Sequence, residues 1–422
     1  MKQYLPARPK LWLLLGLLAA AIAWLFMVRI LVPWENYSYV EAGTLKANLG
    51  DLYSPWYGTR ALLRDRKNPY GPEVTREIQT AFYGHDLVQQ YTPGSRIIDE
   101  QRFAYPVYAV FLLAPSAILS FETMQTVMPF VLAIAIVACV QLWLSCLRAR
   151  PGPIISAAIT LFVLASPQIG QGLRLRQVGL IVALLLALAT WLAIRGNLAA
   201  AGAVLAFSTI KPQMIILALA WFLIWSMGNP RQRWRLPAGF LSTLALLIVA
   251  GELILPGWPR DFLNGLEAYR KYTQFTSLLQ ILLGTAAGAG AAVVIVTWLL
   301  VRGWKNRRRS ADSIEFMSTL SSLLMATALV LPLTPPFNQS LLILPALMVV
   351  TDWRAIPNPA RIICGVGLAW PAITSLVLLM APLSLKSLRP IPLLPLALVL
   401  IVPFLLPVVL AMRRRNGTSL SH

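Results

Sequence analysis

The chain has 422 residues, of which 58% are hydrophobic and only 12% charged, about half the roughly 25% charge of an ordinary soluble domain. Its net charge of +20 comes from 36 Lys and Arg against 16 Asp and Glu. The basic residues stand in short clusters at the ends of apolar runs, a topology signal rather than a nucleic-acid surface. Cys139, Cys146 and Cys364 lie in or beside apolar segments without ligand spacing, and His85 and His422 make no metal site.

Apolar runs of about 20 residues recur, each long enough for a bilayer core of about 30 Å. The expected fold class is all-α: a polytopic membrane protein of about twelve transmembrane helices, forming one domain over 1–422. The first run, about Leu11 to Val32, follows Lys2, Arg8 and Lys10 and lacks a small-residue cleavage site. It reads as an uncleaved helix with a cytoplasmic N-terminus. Residues 33–103 then form a long extracytoplasmic loop carrying nine of the sixteen acids. Its Trp and Tyr residues suit a membrane interface, with short flat helices expected near Tyr57–Arg66 and Val74–Tyr83.

The block from Ala104 to Leu147 is broken near Ser120, and Arg148 and Arg150 close it. Helices follow over Ile154–Ser166 and Val178–Ala193, and Leu198–Gly228 is interrupted at Lys211-Pro212-Gln213. Two routes fit this middle region. If Ala104–Leu119 crosses fully, the Arg148 turn falls outside; if it turns back, both basic turns fall inside and Lys211 sits at an outer bend. Beyond Arg231, Arg233 and Arg235, residues 256–277 form a second extracytoplasmic loop. A further helix reaches the cluster Arg302–Arg309, and four more end at Arg413-Arg414-Arg415 in the cytoplasm.

Charge inside an apolar segment costs roughly 2.5–3.5 kcal/mol on insertion scales and marks function. Lys211 is followed by Pro212, which breaks the helix, and a cationic break suits an anionic ligand; a snorkelling lysine at a helix end is the plain alternative. Arg174, Arg176 and Gln177 form a second polar spot that equally fits a basic turn. Asp51, in Gly50-Asp51-Leu52-Tyr53, sits beside Tyr53, Trp56, Tyr57 and Arg60, where partial desolvation strengthens a general base; simple helix capping is the rival. Glu35, Glu41 and Glu252 are competing acids. Neither a phosphate-cradling glycine loop nor a Ser-His-Asp set is present.

This ordered set resembles the GT-C superfamily of integral-membrane glycosyltransferases, and within it glycosyltransferase family 87, a polyprenyl-phosphate-dependent, mannosyltransferase-like group. The carriers are Asp51-Leu-Tyr with Arg60, Asn68-Pro69-Tyr70, Phe103-Ala-Tyr105-Pro106 with Pro115, Arg176-Gln177, and Lys211-Pro212-Gln213. The second proline common after Tyr105-Pro106 is absent, and Asn338 and Gln339 stand where such a segment often carries histidine.

The resemblance implies Asp51 as catalytic base and Lys211 beside the lipid phosphate. A hexosyltransferase reading follows, with a sugar moved from a polyprenyl-phosphate donor to a glycan or glycolipid hydroxyl at the outer face of the cell membrane, inverting the anomeric centre. Arg174 and Arg60 are further candidates for the donor phosphate. Tyr53, Asn68, Tyr105, Gln171, Gln177, Gln213 and Gln339 are candidates for sugar or acceptor. No cofactor, metal or nucleic-acid partner is called for; a lone acid is a poor divalent-cation site. The rival is a transporter or lipid flippase with Lys211 in a midplane site, which predicts two related halves not visible in the chain.

Overall fold

The computed structural model describes residues 8–41, 49–85, 101–272, 276–331, 335–353, 356 and 358–380. Its regular elements are helical, with no strand among the described residues. The first apolar run becomes α1 (Pro9–Phe26), opened by proline in its first turn, where a missing N–H costs nothing. One wide π turn (Met27–Leu31) passes it into α2 (Val32–Glu41), which carries the helix on to Glu35 and Asn36.

The long first loop contains α3 (Tyr53–Leu63) and α4 (Pro72–Tyr83), close to the two flat helices expected there. The apolar faces of α3 and α4 meet through Ala61, Val74, Ile78 and Phe82, joined by Leu49 from the segment before α3. Outside that contact, Lys67 bridges Glu73 at 2.8 Å and Glu77 at 2.7 Å.

Next comes α5 (Ala109–Ala117), whose nine residues reach about 14 Å, half a bilayer core. The carbonyl of Ser116 near its end accepts from Trp56 Nε1 of α3 at 2.9 Å. Of the two routes open to the sequence, a helix this short fits the one in which Ala104–Leu119 turns back. Ser120 caps α6 (Phe121–Cys146), its hydroxyl accepting from the Thr123 N–H at 3.2 Å. The 26 residues of α6 run about 39 Å, enough for a full crossing.

After α6 come α7 (Pro153–Leu164) and α8 (Pro167–Arg174), bent 67° from each other. Then follow α9 (Gly179–Ile194), α10 (Leu198–Ser208), α11 (Pro212–Met227) and the short α12 (Pro230–Arg233). The second half holds α13 (Arg235–Ile254), α14 (Trp258–Tyr272), α15 (Leu278–Leu283) and α16 (Thr285–Asn306). Gly284 divides the single helix expected over Leu278–Val301 into α15 and α16. Last are α17 (Ile314–Val330), a 3-10 turn over Pro336–Leu342, α18 (Ile343–Thr351) and α19 (Asn358–Met380).

Five described helices are individually long and apolar enough to cross a membrane, six if α7 and α8 form one bent span. This falls short of the twelve expected because polar breaks at Gln177 and Lys211 leave α9, α10 and α11 at 11–16 residues each. The final expected helix lies outside the described residues.

Packing gathers the basic turns at one end. Arg148 after α6 pairs with Asp312 before α17. Arg233 stacks on Trp225 and donates to the carbonyls of Arg307 at 2.6 Å and Arg309 at 3.0 Å. The opposite end of α6 meets Arg176, whose Nε donates to the Gln125 carbonyl at 3.1 Å. The length of α6 therefore separates the basic cluster from the Asp51–Gln177 region.

Candidate active site

The site begins with how α8 stops. The Gln177 N–H returns to the Gly172 carbonyl at 2.8 Å and the Arg176 N–H to Leu173 at 3.2 Å. These two bonds form a Schellman ending, which needs a left-handed residue at its turn. Arg176 takes that position with φ +56°, a conformation that costs an L-residue roughly 1–2 kcal/mol. The reversal leaves the Leu175 carbonyl facing outward, and the Asp51 N–H donates to it at 3.1 Å. Gly50, at φ +65°, makes the approach possible: a Cβ there would stand 3.2 Å from both the Leu175 oxygen and Arg176 Nη1.

Between α10 and α11, Pro212 forces Lys211 out of helical geometry, to φ −127° and ψ 77°. The lysine is buried, and its ammonium donates to Gln177 Oε1 at 2.6 Å. The rings of Phe337 and Tyr105 flank it at 5.2 and 5.9 Å. The other end of the same amide donates from Nε2 to Asp51 Oδ2. One neutral side chain thus joins a carboxylate to an ammonium, with its NH2 toward the anion and its carbonyl toward the cation. Asn338 closes the same corner, since a Cβ on Gly179 would sit 3.1 Å from Asn338 Oδ1 and 3.4 Å from Lys211 Nζ.

Chemically, the arrangement offers a half-exposed carboxylate that can accept a proton, beside a buried cation that can stabilise negative charge on a leaving group. Among the described residues no group of three or more His, Cys, Asp or Glu is placed to hold a metal ion.

The remaining candidates divide. Tyr105 belongs to the Lys211 corner, and its carbonyl accepts from the Tyr70 hydroxyl at 2.6 Å. Gln339, on the same 3-10 turn as Asn338, is buried with an unpartnered Oε1. Gln213 stands exposed at the start of α11. Arg174 pairs with Glu35 rather than with the Lys211 corner, and Gln171 Nε2 donates to the same carboxylate at 3.1 Å. Glu35, one of the competing acids, is therefore committed to tying α2 to α8, while Glu252 accepts from the Gly257 N–H at 2.7 Å at the end of α13.

Tyr53 stacks on Tyr57 and meets Phe82 and Phe121 edge-on. Burial, then the Glu77 charge, pushes its phenol pKa up, and burial with a hydrogen bond to Glu77 pushes Tyr57 to about 12. Arg60 lies over the Trp56 ring at 5.6 Å. Asn68 latches the segment before α4 to α14, donating to Asp261 at 2.7 Å while its own oxygen accepts from the Tyr70 N–H at 2.9 Å.

Sequence reasoning passed over Asp261, Phe337 and the turn geometry of Arg176. The first two lie far from their partners in the chain, and an arginine is not a turn signal. Gly50 was on view beside Asp51, but its need for positive φ becomes evident only against Leu175.

Against known proteins, the family model described as glycosyltransferase family 87 matches residues 103–332, more than half of the chain. That segment carries Tyr105, Gln171, Arg174, Gln177, Lys211 and Gln213; Asp51, Tyr53, Arg60, Asn68 and Gln339 lie outside it. No curated protein and no solved structure matches the chain. With membrane-length apolar helices around a carboxylate–amide–ammonium corner, and with that match, the chain belongs to glycosyltransferase family 87 and is a membrane glycosyltransferase.

Proposed function

We propose that the enzyme moves a hexose from a polyprenyl-phosphate donor to an acceptor hydroxyl on a glycan or glycolipid, at the outer face of the cell membrane. The observation that carries this reading is the bridge from Asp51 through Gln177 to Lys211. A lipid-phosphate donor suits it because the cation sits at a break between two apolar helices, the kind of site at which membrane proteins bind anionic ligands. Asp51 takes the proton from the acceptor hydroxyl as that oxygen bonds to the anomeric carbon. The bond from that carbon to the phosphate oxygen breaks, and its electron pair leaves with the phosphate. Lys211 stabilises the charge that develops there. A single in-line displacement inverts the anomeric centre.

Tyr105, Gln177 and Gln339 are the candidates nearest this corner for contacts to sugar hydroxyls. Arg60 and Arg174 are weaker phosphate ligands, because one lies over Trp56 and the other is held by Glu35. Family membership favours transfer over transport by a flippase.

The test uses Asp51→Asn in membranes supplied with labelled polyprenyl-phosphate mannose and polyprenyl-phosphate glucose. Removing a general base is expected to lower transfer by roughly 10²–10⁴-fold. Transfer at the wild-type rate with normal expression would overturn the assignment of Asp51. Wild-type membranes inert toward both donors, yet active with a sugar nucleotide, would overturn the donor class.

A further inference from the structure

Among the described residues three helices end in the same Schellman geometry, and they fill its left-handed position differently. After α9 the residue is Gly196 at φ +79°, the residue that takes this conformation without strain, with the Asn197 N–H returning to Leu192 at 2.9 Å. After α6 it is Arg148 at φ +54°, whose side chain pairs with Asp312 across the basic end. After α8 it is Arg176 at φ +56°. The conformation alone assigns no role, since Arg66 after α3 holds φ +54° with its side chain exposed. Arg148 and Arg176 differ from it in having side chains that are engaged, Arg148 in the ion pair and Arg176 in the guanidinium's own contacts.

Two contacts place it. Nε donates to the Gln125 carbonyl in the first turns of α6, and Nη1 lies against Gly50 at the distance where a Cβ would meet it at 3.2 Å. The guanidinium is therefore wedged between the start of α6 and the segment that carries Asp51. Its backbone neighbours act on the same residue, since Leu175 accepts from the Asp51 N–H and Gln177 donates to the Asp51 carboxylate.

We propose that Arg176 is a positioning residue for the transfer reaction: it anchors the Gly50–Asp51 segment to α6, so that the Asp51 carboxylate stays on the Gln177 amide. The proposal rests on the reading of Asp51 as the base. It makes Arg176 act through Asp51, with no requirement that it touch donor or acceptor.

The discriminating variant is Arg176→Gly, which keeps the left-handed turn that glycine adopts freely and removes only the side chain. Purified in detergent, R176G is expected to melt within about 2 °C of the wild type, because relief of backbone strain offsets the lost contacts. With labelled polyprenyl-phosphate mannose its kcat is expected to fall at least ten-fold while the KM for the donor stays within about two-fold. The double variant D51N/R176G is expected to be no slower than D51N alone. A wild-type kcat for R176G overturns the proposal. So does a melting temperature lowered by more than about 5 °C, with activity lost in proportion to folded protein. A double variant clearly slower than D51N overturns it while leaving Asp51 as the base, and a fully active D51N overturns both.

Discussion

Gln177 carries no charge, yet both charged groups of the site depend on it. Its carbonyl accepts from a buried ammonium and its amide donates to a carboxylate, so each polar atom of the side chain has a partner. Replacing it by leucine keeps the bulk and removes both bonds, leaving Lys211 buried with an unmatched N–H. An unsatisfied buried group costs about 1–3 kcal/mol, more when charged. Gln177→Leu is therefore expected to melt several degrees lower and to lose at least 10²-fold in transfer. Gln177→Glu is expected to keep the Lys211 contact and repel Asp51, which separates the two bonds. Measuring transfer and melting temperature on both variants checks this; a fully active Q177L would show that the bridge has no part in catalysis.

At this scale the sequence exposed charges well and geometry poorly. Asp51 and Lys211 stood out because ionisable groups are rare in so apolar a chain. That Arg174 would turn to Glu35 while Arg176 turned to Gly50 depends on how α8 ends, and the string Arg174-Leu175-Arg176 contains no sign of it.

Among the described helices, α10 and α13 cross with their backbones in close approach. Gly202 and Gly239 bring the backbones together so closely that a Cβ on Gly202 would overlap the Leu236 carbonyl oxygen, and one on Gly239 the Ala199 carbonyl. Small residues serve this purpose in membranes, where lipid is as apolar as leucine and association relies on close contact. The obstacle at each position is main chain, which has no alternative rotamer. Gly202→Ala is expected to cost about 1–3 kcal/mol, as overpacking does, and to lower the melting temperature in detergent. Because α10 leads directly into Lys211, its activity is expected to fall more than its stability; unchanged melting would show that the crossing tolerates a methyl group. The glycines were visible in the sequence as small residues in apolar runs, but which helix each would meet was not. Element existence was similarly legible from apolar runs and breaks, whereas the shortness of the helix within Ala104–Leu119 was not. The apolar length of that stretch fits a span, yet only Ala109–Ala117 is helical, and the end of that helix is hydrogen-bonded to α3.

For the whole molecule, the separation of basic turns from the Asp51–Lys211 corner makes a statement about sidedness. Arg148, Arg233 and Arg307–Arg309 meet at one end, joined through Asp312 and backbone carbonyls. Clusters of this kind stay on the cytoplasmic side of a bilayer. With the length of α6, about 39 Å, between the two ends, the proposed function predicts the Asp51 carboxylate on the far side, where a donor already flipped across the membrane would present its sugar. The chain's own thiols make this directly testable, since Cys139, Cys146 and Cys364 are all buried. A cysteine placed at exposed Arg76 in α4 is expected to react with a membrane-impermeant maleimide in intact cells. One placed at exposed Arg308 is expected to react only after permeabilisation. Neither side chain belongs to the Asp51 corner, so both variants are expected to keep wild-type transfer, which certifies that the labelled protein is the folded enzyme. The reversed labelling pattern would place Asp51 in the cytoplasm and require a donor facing that side. Labelling of both sites in intact cells would mean a mixed orientation.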